Sequence, residues 1–369
     1  MGREPRRRGT GSLGWKCLCL SFPDREVKGT RMDDLQYGTR NKRGDWAPDA
    51  HLELPPFWRR PFSLPRVLAW IPEYLWPWNA FHMATALVWW FYVVPDVEVM
   101  KTLSWGWALW LYAVNAVAIF VFYGSVELFW YVKKKQGTRF KYNGKFPAEQ
   151  PSDVFWFKSQ NIDNFLRSFF ISIPLWTLVE VVFLWAYANT WATWLPWETH
   201  WPWLVVLALL SPAIHEVHFF AIHRLIHTPF LYKWVHSVHH NSVNPSPWSS
   251  LSMHPVEGFL YHAVAFWHLI IPSNPVLAMF QLHLAGFGAV NGHIGFDKLE
   301  LSEDRTLDSH AYAHYLHHKY FEVNYGGDGL IPLDKWFGYW HDGSKEGEAR
   351  MNARFQKKKE RMNAKAVRG

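Results

Sequence analysis

The chain has 369 residues, 25 tryptophans, 18% aromatic residues and a formal net charge of +7. Its two cysteines, Cys17 and Cys19, exclude a disulfide framework. The basic residues flank apolar runs instead of forming one stripe, which argues against a nucleic-acid partner, and the mean hydropathy of −0.15 averages polar tails with long apolar stretches.

Residues 1–31 are rich in Arg and Gly, lack periodicity and read as a disordered basic extension. Leu18–Phe22 is too short for a secretory apolar core. Met32 opens a different texture and reads as an alternative start. Residues 32–75 are polar and Pro-rich, the pattern of an ordered peripheral arm. Pro55, Pro56, Pro61 and Pro65 argue against a long helix there.

A spanning helix needs about 20 mainly apolar residues. Four stretches qualify as candidates: Asn79–Pro95, which is short, Trp105 to about Val132, Phe165–Ala188, and Trp201 to about Ile222. Trp and Tyr crowd their ends, as interfacial anchoring predicts. The first three fall in residues 76–200. The loop between the second and third carries Lys133, Lys134, Lys135, Arg139, Lys141 and Lys145, which places it in the cytoplasm. The N-terminal arm then lies on the same side, and the fourth span ends there. Residues 258–291 are apolar but broken at Pro272-Ser-Asn-Pro275. Each arm is too short to cross, so the stretch reads as a re-entrant hairpin. Residues 346–369 form a basic C-terminal tail. The expected fold is all-α: a multi-pass membrane bundle of about four spans plus a re-entrant helical hairpin, with a cytoplasmic histidine-rich helical cap.

That cap carries the chemistry. Sixteen of the twenty histidines fall between His215 and His318. Three groups repeat a helical spacing: His223 with His227, then His236, His239 and His240, then His314, His317 and His318. Residues three and four apart share a helix face, so each group is expected to point one way. Three imidazole-bearing faces can hold a metal centre between helices. Imidazoles without sulfur suit iron, copper, zinc or nickel. The bland reading is a set of core histidines, but two copies of the H-x-x-H-H spacing are hard to reach by chance. A histidine-rich metal transporter would place such residues mid-span, whereas these lie mostly after the fourth span. A bis-histidine haem protein needs two axial histidines, not eight in repeated boxes.

His223-Arg-Leu-Ile-His227, His236-Ser-Val-His239-His240 and His314-Tyr-Leu-His317-His318 resemble the three histidine boxes of the fatty acid hydroxylase/sterol desaturase superfamily. His254-Pro-Val-Glu257, Asn324-Tyr-Gly326 and Leu333-Asp-Lys-Trp-Phe-Gly338 resemble further motifs of that family, and its C-5 sterol desaturase branch in particular. The resemblance covers roughly 201–340, within a catalytic region taken as 201–345. It implies a non-haem di-iron centre that uses O2 to hydroxylate or desaturate a lipid C–H bond. It implies the eight box histidines as ligands, and His293 as a ninth from outside the boxes. Glu216, His254, Glu257, Asp297, His310 and Asn324 are the residues expected to orient the ligands, with Asp297 and His310 also open as ligands. The chain has no cytochrome-b5-like haem motif and no Gly-rich dinucleotide loop, so a separate cytochrome b5, ferredoxin or reductase is expected to supply electrons. The substrate is expected to be an apolar lipid entering from the bilayer. The site is expected to face the cytoplasm, from the plasma membrane of a bacterium or the endoplasmic reticulum of a eukaryote.

Overall fold

The computed structural model describes residues 32–147, 150–327 and 329–366. The basic extension 1–31 lies outside the described residues. The arm begins with a hairpin of β1 (Gly38–Arg40) and β2 (Trp46–Pro48), paired antiparallel. Trp46 is buried under it, edge-on to Phe140. The prolines do not abolish helix here. Helix α1 (Leu64–Leu75) forms with Pro65 in its first turn, where no backbone N–H is needed. It is amphipathic, and Leu64, Leu68, Ile71 and Leu75 remain exposed along one edge.

Helix α2 (Trp78–Tyr92) takes the place of the first expected span and has only 15 residues. At ~1.5 Å per residue that is roughly 22 Å, short of a ~30 Å hydrocarbon core. Among the described residues three helices are long and apolar enough to cross a membrane: α3 (Trp105–Val132), α4 (Gln160–Ala188) and α5 (Trp197–Ile226). They correspond to the other three expected spans. Both α3 and α4 contain a π turn, at Glu127–Val132 and Ser168–Ser172. The outer faces of α3 and α5 expose Val, Leu, Phe and Trp, as lipid-facing surfaces do. Polar glue joins α2, α3 and α4. Asn115 donates to Thr177 Oγ1 at 3.1 Å and to Glu180 Oε2 at 2.6 Å, and accepts from Trp89 Nε1 at 2.9 Å. Glu180 thus serves helix packing.

After α5 comes a π turn at Tyr232–His236 that runs into the short α6 (Ser237–His240). The interrupted apolar stretch then forms α7 (Pro255–His262), a single turn at Trp267–Ile270, and α8 (Pro275–Gly286). All twelve residues of α8 are buried. It lies at the centre of the bundle, against α2, α4 and α5. At Gly286 a Cβ would sit 2.1 Å from the Trp176 ring, so only glycine lets α8 approach α4 there. Helix α9 (Ala289–His293) follows directly. A second hairpin, β3 (Lys298–Glu300) with β4 (Thr306–Asp308), leads to α10 (Tyr312–Tyr320). The basic tail is the helix α11 (Lys345–Ala366), which buries Met351 and ties Arg354 to the Glu322 carbonyl.

Candidate metal centre

The long helix α5 delivers His223 on its last turn and His227 at its C-cap. Where the chain reverses, the wider π turn and α6 present His236, His239 and His240 from the opposite wall. His293 ends α9, and α10 supplies His314, His317 and His318. All are buried except His227, which is half-buried.

These nine histidines converge as two groups. His223, His227, His236, His240 and His317 each bring one nitrogen within 4.8 Å of the others, and His239, His293, His314 and His318 do the same. The boxes are therefore not single faces. His236 and His240 join the first group while His239 joins the second; His314 and His318 join the second while His317 joins the first. Three and four residues of helix turn about 300° and 400°, so the i+3 and i+4 positions diverge by about 100°. That divergence aims one box at two points.

Several of the other ring nitrogens are anchored. Nδ1–H of His223 donates to Tyr325 O at 2.8 Å, that of His317 to Val323 O at 2.7 Å, that of His293 to Ala289 O at 2.9 Å, and that of His239 to Ser252 O at 3.3 Å. A carbonyl only accepts, so each bond assigns the hydrogen to Nδ1 and leaves Nε2 as a bare lone pair. His239 Nε2 and His293 Nε2 nevertheless lie 3.0 Å apart. Neither can donate to the other. In the same group His293 Nε2 lies 3.2 Å from both His314 Nε2 and His318 Nε2. In the first group His317 Nε2 lies 3.1 Å from His240 Nε2 and 3.2 Å from His227 Nε2. Inward lone pairs at such distances repel unless a cation sits among them, and all-imidazole donor sets suit a transition metal. The residues fit a two-metal centre.

Burial works toward the same end. It pushes His239 down to about 4, His293 and His317 to about 3, and His227 to about 2. Burial, reinforced by neighbouring imidazoles, holds His236, His240, His314 and His318 well below 6.5. Such imidazoles are neutral at physiological pH and keep their lone pairs for a metal.

The residues expected to orient the ligands divide. Glu257 Oε1 accepts from His236 Nδ1 at 2.7 Å and is 4% exposed. Burial raises its carboxyl; a cation on the far side of His236 works the other way. Asn324 donates to Ala313 O and His341 O and accepts from His341 N, which clamps the closing segment onto α10. Glu216 lies buried beside Gly326. His254 instead caps α7, accepting from Val256 N at 3.2 Å. Asp297 accepts from Tyr142 Oη at 2.9 Å, outside both groups. His310 joins neither group, has φ of 57° and lines the cavity described next.

Two kinds of site residue escaped the sequence reading. The carbonyls of Ser252, Ala289, Val323 and Tyr325 carry no side-chain signal. Asp334 lies in a motif recognised by resemblance, but its task emerges only in the fold. Its carboxylate accepts from Tyr325 N at 2.9 Å and Gly326 N at 2.7 Å, which fixes the segment whose carbonyls hold His223 and His317.

A cavity of about 440 Å³ opens onto both groups through His223, His236, His239, His293 and His314. Trp70, Tyr74, Trp78, Phe219 and Tyr261 give it an aromatic side, and Glu53, Arg59, Glu73 and Glu216 a charged one. Tyr74 Oη donates to Leu209 O at 2.5 Å, where Pro212 disturbs the α5 ladder, and so ties α1 over the cavity.

The fatty acid hydroxylase family model matches residues 206–339. A Delta(7)-sterol 5(6)-desaturase of Gibberella zeae is 33% identical over 133 residues, covering 35% of this chain and 40% of that protein. One of Aspergillus fumigatus is 31% identical over 150 residues, covering 34% and 46%. One of Saccharomyces cerevisiae is 35% identical over 108 residues, covering 28% of each chain. The chain thus spans less than half the length of these curated relatives. No solved structure matches it. Residues 206–339 are thus similar to the fatty acid hydroxylase family, and over that stretch the curated relatives are Delta(7)-sterol 5(6)-desaturases.

Proposed function

We propose that this protein is an O2-dependent membrane oxidoreductase that hydroxylates or desaturates a lipid C–H bond in lipid biosynthesis. The single observation that carries the reading is the convergence of nine histidines on two points with their lone pairs turned inward. The first group would hold one iron with His223, His227, His236, His240 and His317, and the second would hold another with His239, His293, His314 and His318. Two irons so held supply O2 reduction and an oxidant able to break an unactivated C–H bond. The chain's own residues do the rest. Nδ1 anchors on backbone carbonyls and on Glu257 hold the rings of His223, His236, His239, His293 and His317 in one orientation. The aromatic side of the cavity, Trp70, Tyr74, Trp78, Phe219 and Tyr261, would receive the apolar body of the substrate. The Delta(7)-sterol 5(6)-desaturase relatives favour a sterol-like lipid over a fatty-acyl chain. They lend no support to a metal transporter or a haem protein. Electrons would come from a separate cytochrome b5, ferredoxin or reductase.

The test is iron per chain with product formation under O2 and a reductant. Native protein is expected to hold about two irons and oxidise lipid, and both His240→Ala and His317→Ala to lose iron and turnover. Full iron and full turnover in both variants would sink the reading. The centre is proposed to face the cytoplasm, on the side of the lysine-rich 133–145 loop. Cysteines at Lys135 and Ser344 should then label from one side and one at Thr199 from the other. Labelling of all three from one side overturns that topology.

A further inference from the structure

The cavity wall holds polar atoms that the two histidine groups do not use. His82, on α2, is 3% exposed, lines the cavity, and has no partner at Nδ1 or at Nε2. His215 Nδ1 and Asn291 Oδ1 are buried in the same wall, also without partners. Other buried histidines of the bundle differ. His262, His268 and His283 each bond one nitrogen, to Gly258 O, Ser273 Oγ and Thr85 Oγ1, and none of them lines the cavity. A buried polar group without a partner has lost its water and gained nothing in exchange. His82, with both nitrogens unpartnered and its ring in the cavity wall, points to a partner that arrives with the ligand.

The donor and acceptor pattern selects its chemistry. A neutral imidazole offers one N–H and one lone pair, and the Asn291 amide oxygen offers lone pairs. A hydroxyl can donate to one of these groups and accept from another. An anionic head can only accept. It would also meet Glu53, Glu73, Glu216 and Glu257 in the cavity wall. Among the described residues lining the cavity Arg59 is the one Lys or Arg, and its guanidinium is already held by Glu53 and by Leu54 O. The wall therefore suits a neutral alcohol and disfavours a carboxylate or a phosphate.

We infer that His82, with His215 and Asn291, forms a hydroxyl-binding subsite that admits neutral lipid alcohols and sets which carbon faces the histidine groups. This inference rests on the proposed lipid-oxidising function and narrows its substrate class. The three residues position the substrate; they are not proposed to touch the reacting carbon.

The experiment uses the full iron-loaded chain in detergent micelles. A Δ7-sterol alcohol, its O-methyl ether and a free fatty acid serve as probes, read by binding and by the separation of KM from kcat. Native protein is expected to bind the alcohol about tenfold more tightly than the ether, the scale of one buried hydrogen-bonded group. The fatty acid should compete poorly. His82→Phe keeps the ring volume and removes both nitrogens. It should hold native iron, lose the preference to about twofold or less, and raise KM more than it lowers kcat. His82→Gln should restore part of the preference. If His82→Phe fails to fold, His215→Phe and Asn291→Leu carry the test, with the same loss expected. Native preference retained in folded variants overturns the inference, as does a fatty acid that competes as well as the alcohol. A native chain that holds iron and oxidises the sterol but ignores the methyl ether difference overturns this inference alone. A native chain that holds no iron and oxidises no lipid overturns the proposed function, and this inference with it.

Discussion

The two histidine groups draw on the same two helical boxes and are built differently. α6 gives two histidines to the five-member group and one to the four-member group, and α10 does the reverse. What distinguishes them is the third element: the end of α5, with His223 and His227, for the first, and α9, with His293, for the second. Their supports also differ. The five-member group is backed by a carboxylate, Glu257, as well as by two carbonyls. The four-member group has carbonyls, of Ser252 and Ala289, and no carboxylate, while each group has one Nδ1, of His240 or of His318, buried without a partner. A shared scaffold has thus produced one site with a spare donor and a charged support, and one with neither.

If that comparison is right, the four-member group is the less tolerant. His293→Ala removes its only donor from α9 and leaves three imidazoles from two helices. It should lower iron from about two to about one per chain and cut turnover by roughly 100-fold or more, beyond the ~10–100-fold typical of losing a supporting group. Elemental analysis beside a turnover assay decides it. Two irons retained in His293→Ala would remove the ninth ligand from the proposal.

Glu257→Gln tests the charged support. The amide oxygen still accepts from His236 Nδ1–H, but the negative charge is gone. Iron affinity should fall by roughly 10–100-fold at one of the two sites, read as one iron lost early in a chelator titration. Loss of both irons together would erase the distinction between the groups. His227→Ala should be milder, since four donors remain and His227 is the one half-buried ligand. A drop of about tenfold in turnover, with iron largely kept, is the expectation.

Acid should act on both groups once the metal is removed. The imidazoles of both groups are held below 6.5 in the fold, down to about 4 at His239 and about 3 at His293 and His317. The unfolded chain then binds more protons below pH 6.5, so this contribution to stability is full above 6.5 and lost as pH falls toward 3. Iron-free protein should show a melting temperature that is steady above pH 6.5 and declines below it. Iron-loaded protein should begin that decline at a lower pH, because bound metal competes with the protons. Identical profiles with and without iron would argue that no metal sits on these rings.

How much of this was legible beforehand depends on the kind of information involved. The box histidines declare themselves by spacing, and α3, α4 and α5 by the length of their apolar runs. The division of each box between two groups was not legible. It follows from a 100° divergence that matters only once a second helix fixes the two points. The anchors at Val323, Tyr325, Ser252 and Ala289 are backbone atoms, which any residue supplies. His82 lies some 140 residues before the boxes, in a stretch read as a plain span. Only the packing of α2 against α8 brings it to the cavity. The first expected span illustrates the converse: an apolar run of convincing composition folds as a helix of 15 residues.

The smallest expected effect falls on Asp297, four residues after His293, which sequence spacing left open as a carboxylate ligand. In the fold its Oδ1 accepts from Tyr142 Oη at 2.9 Å. Its backbone accepts from Ser309 N at 3.0 Å and donates to Phe140 O at 2.8 Å. These bonds tie the lysine-rich loop to the segment that leads into α10, so Asp297 holds the frame and not the metal. Burial raises its carboxyl above 3.8, and a neutral isostere should be well tolerated. Asp297→Asn keeps an oxygen for Tyr142 and removes only the charge. It should retain both irons, turn over within about twofold of the native chain and change stability by no more than about 1 kcal/mol. Loss of one iron in that variant, with the chain still folded, would make Asp297 a fifth donor of the four-member group and close the gap between the two sites.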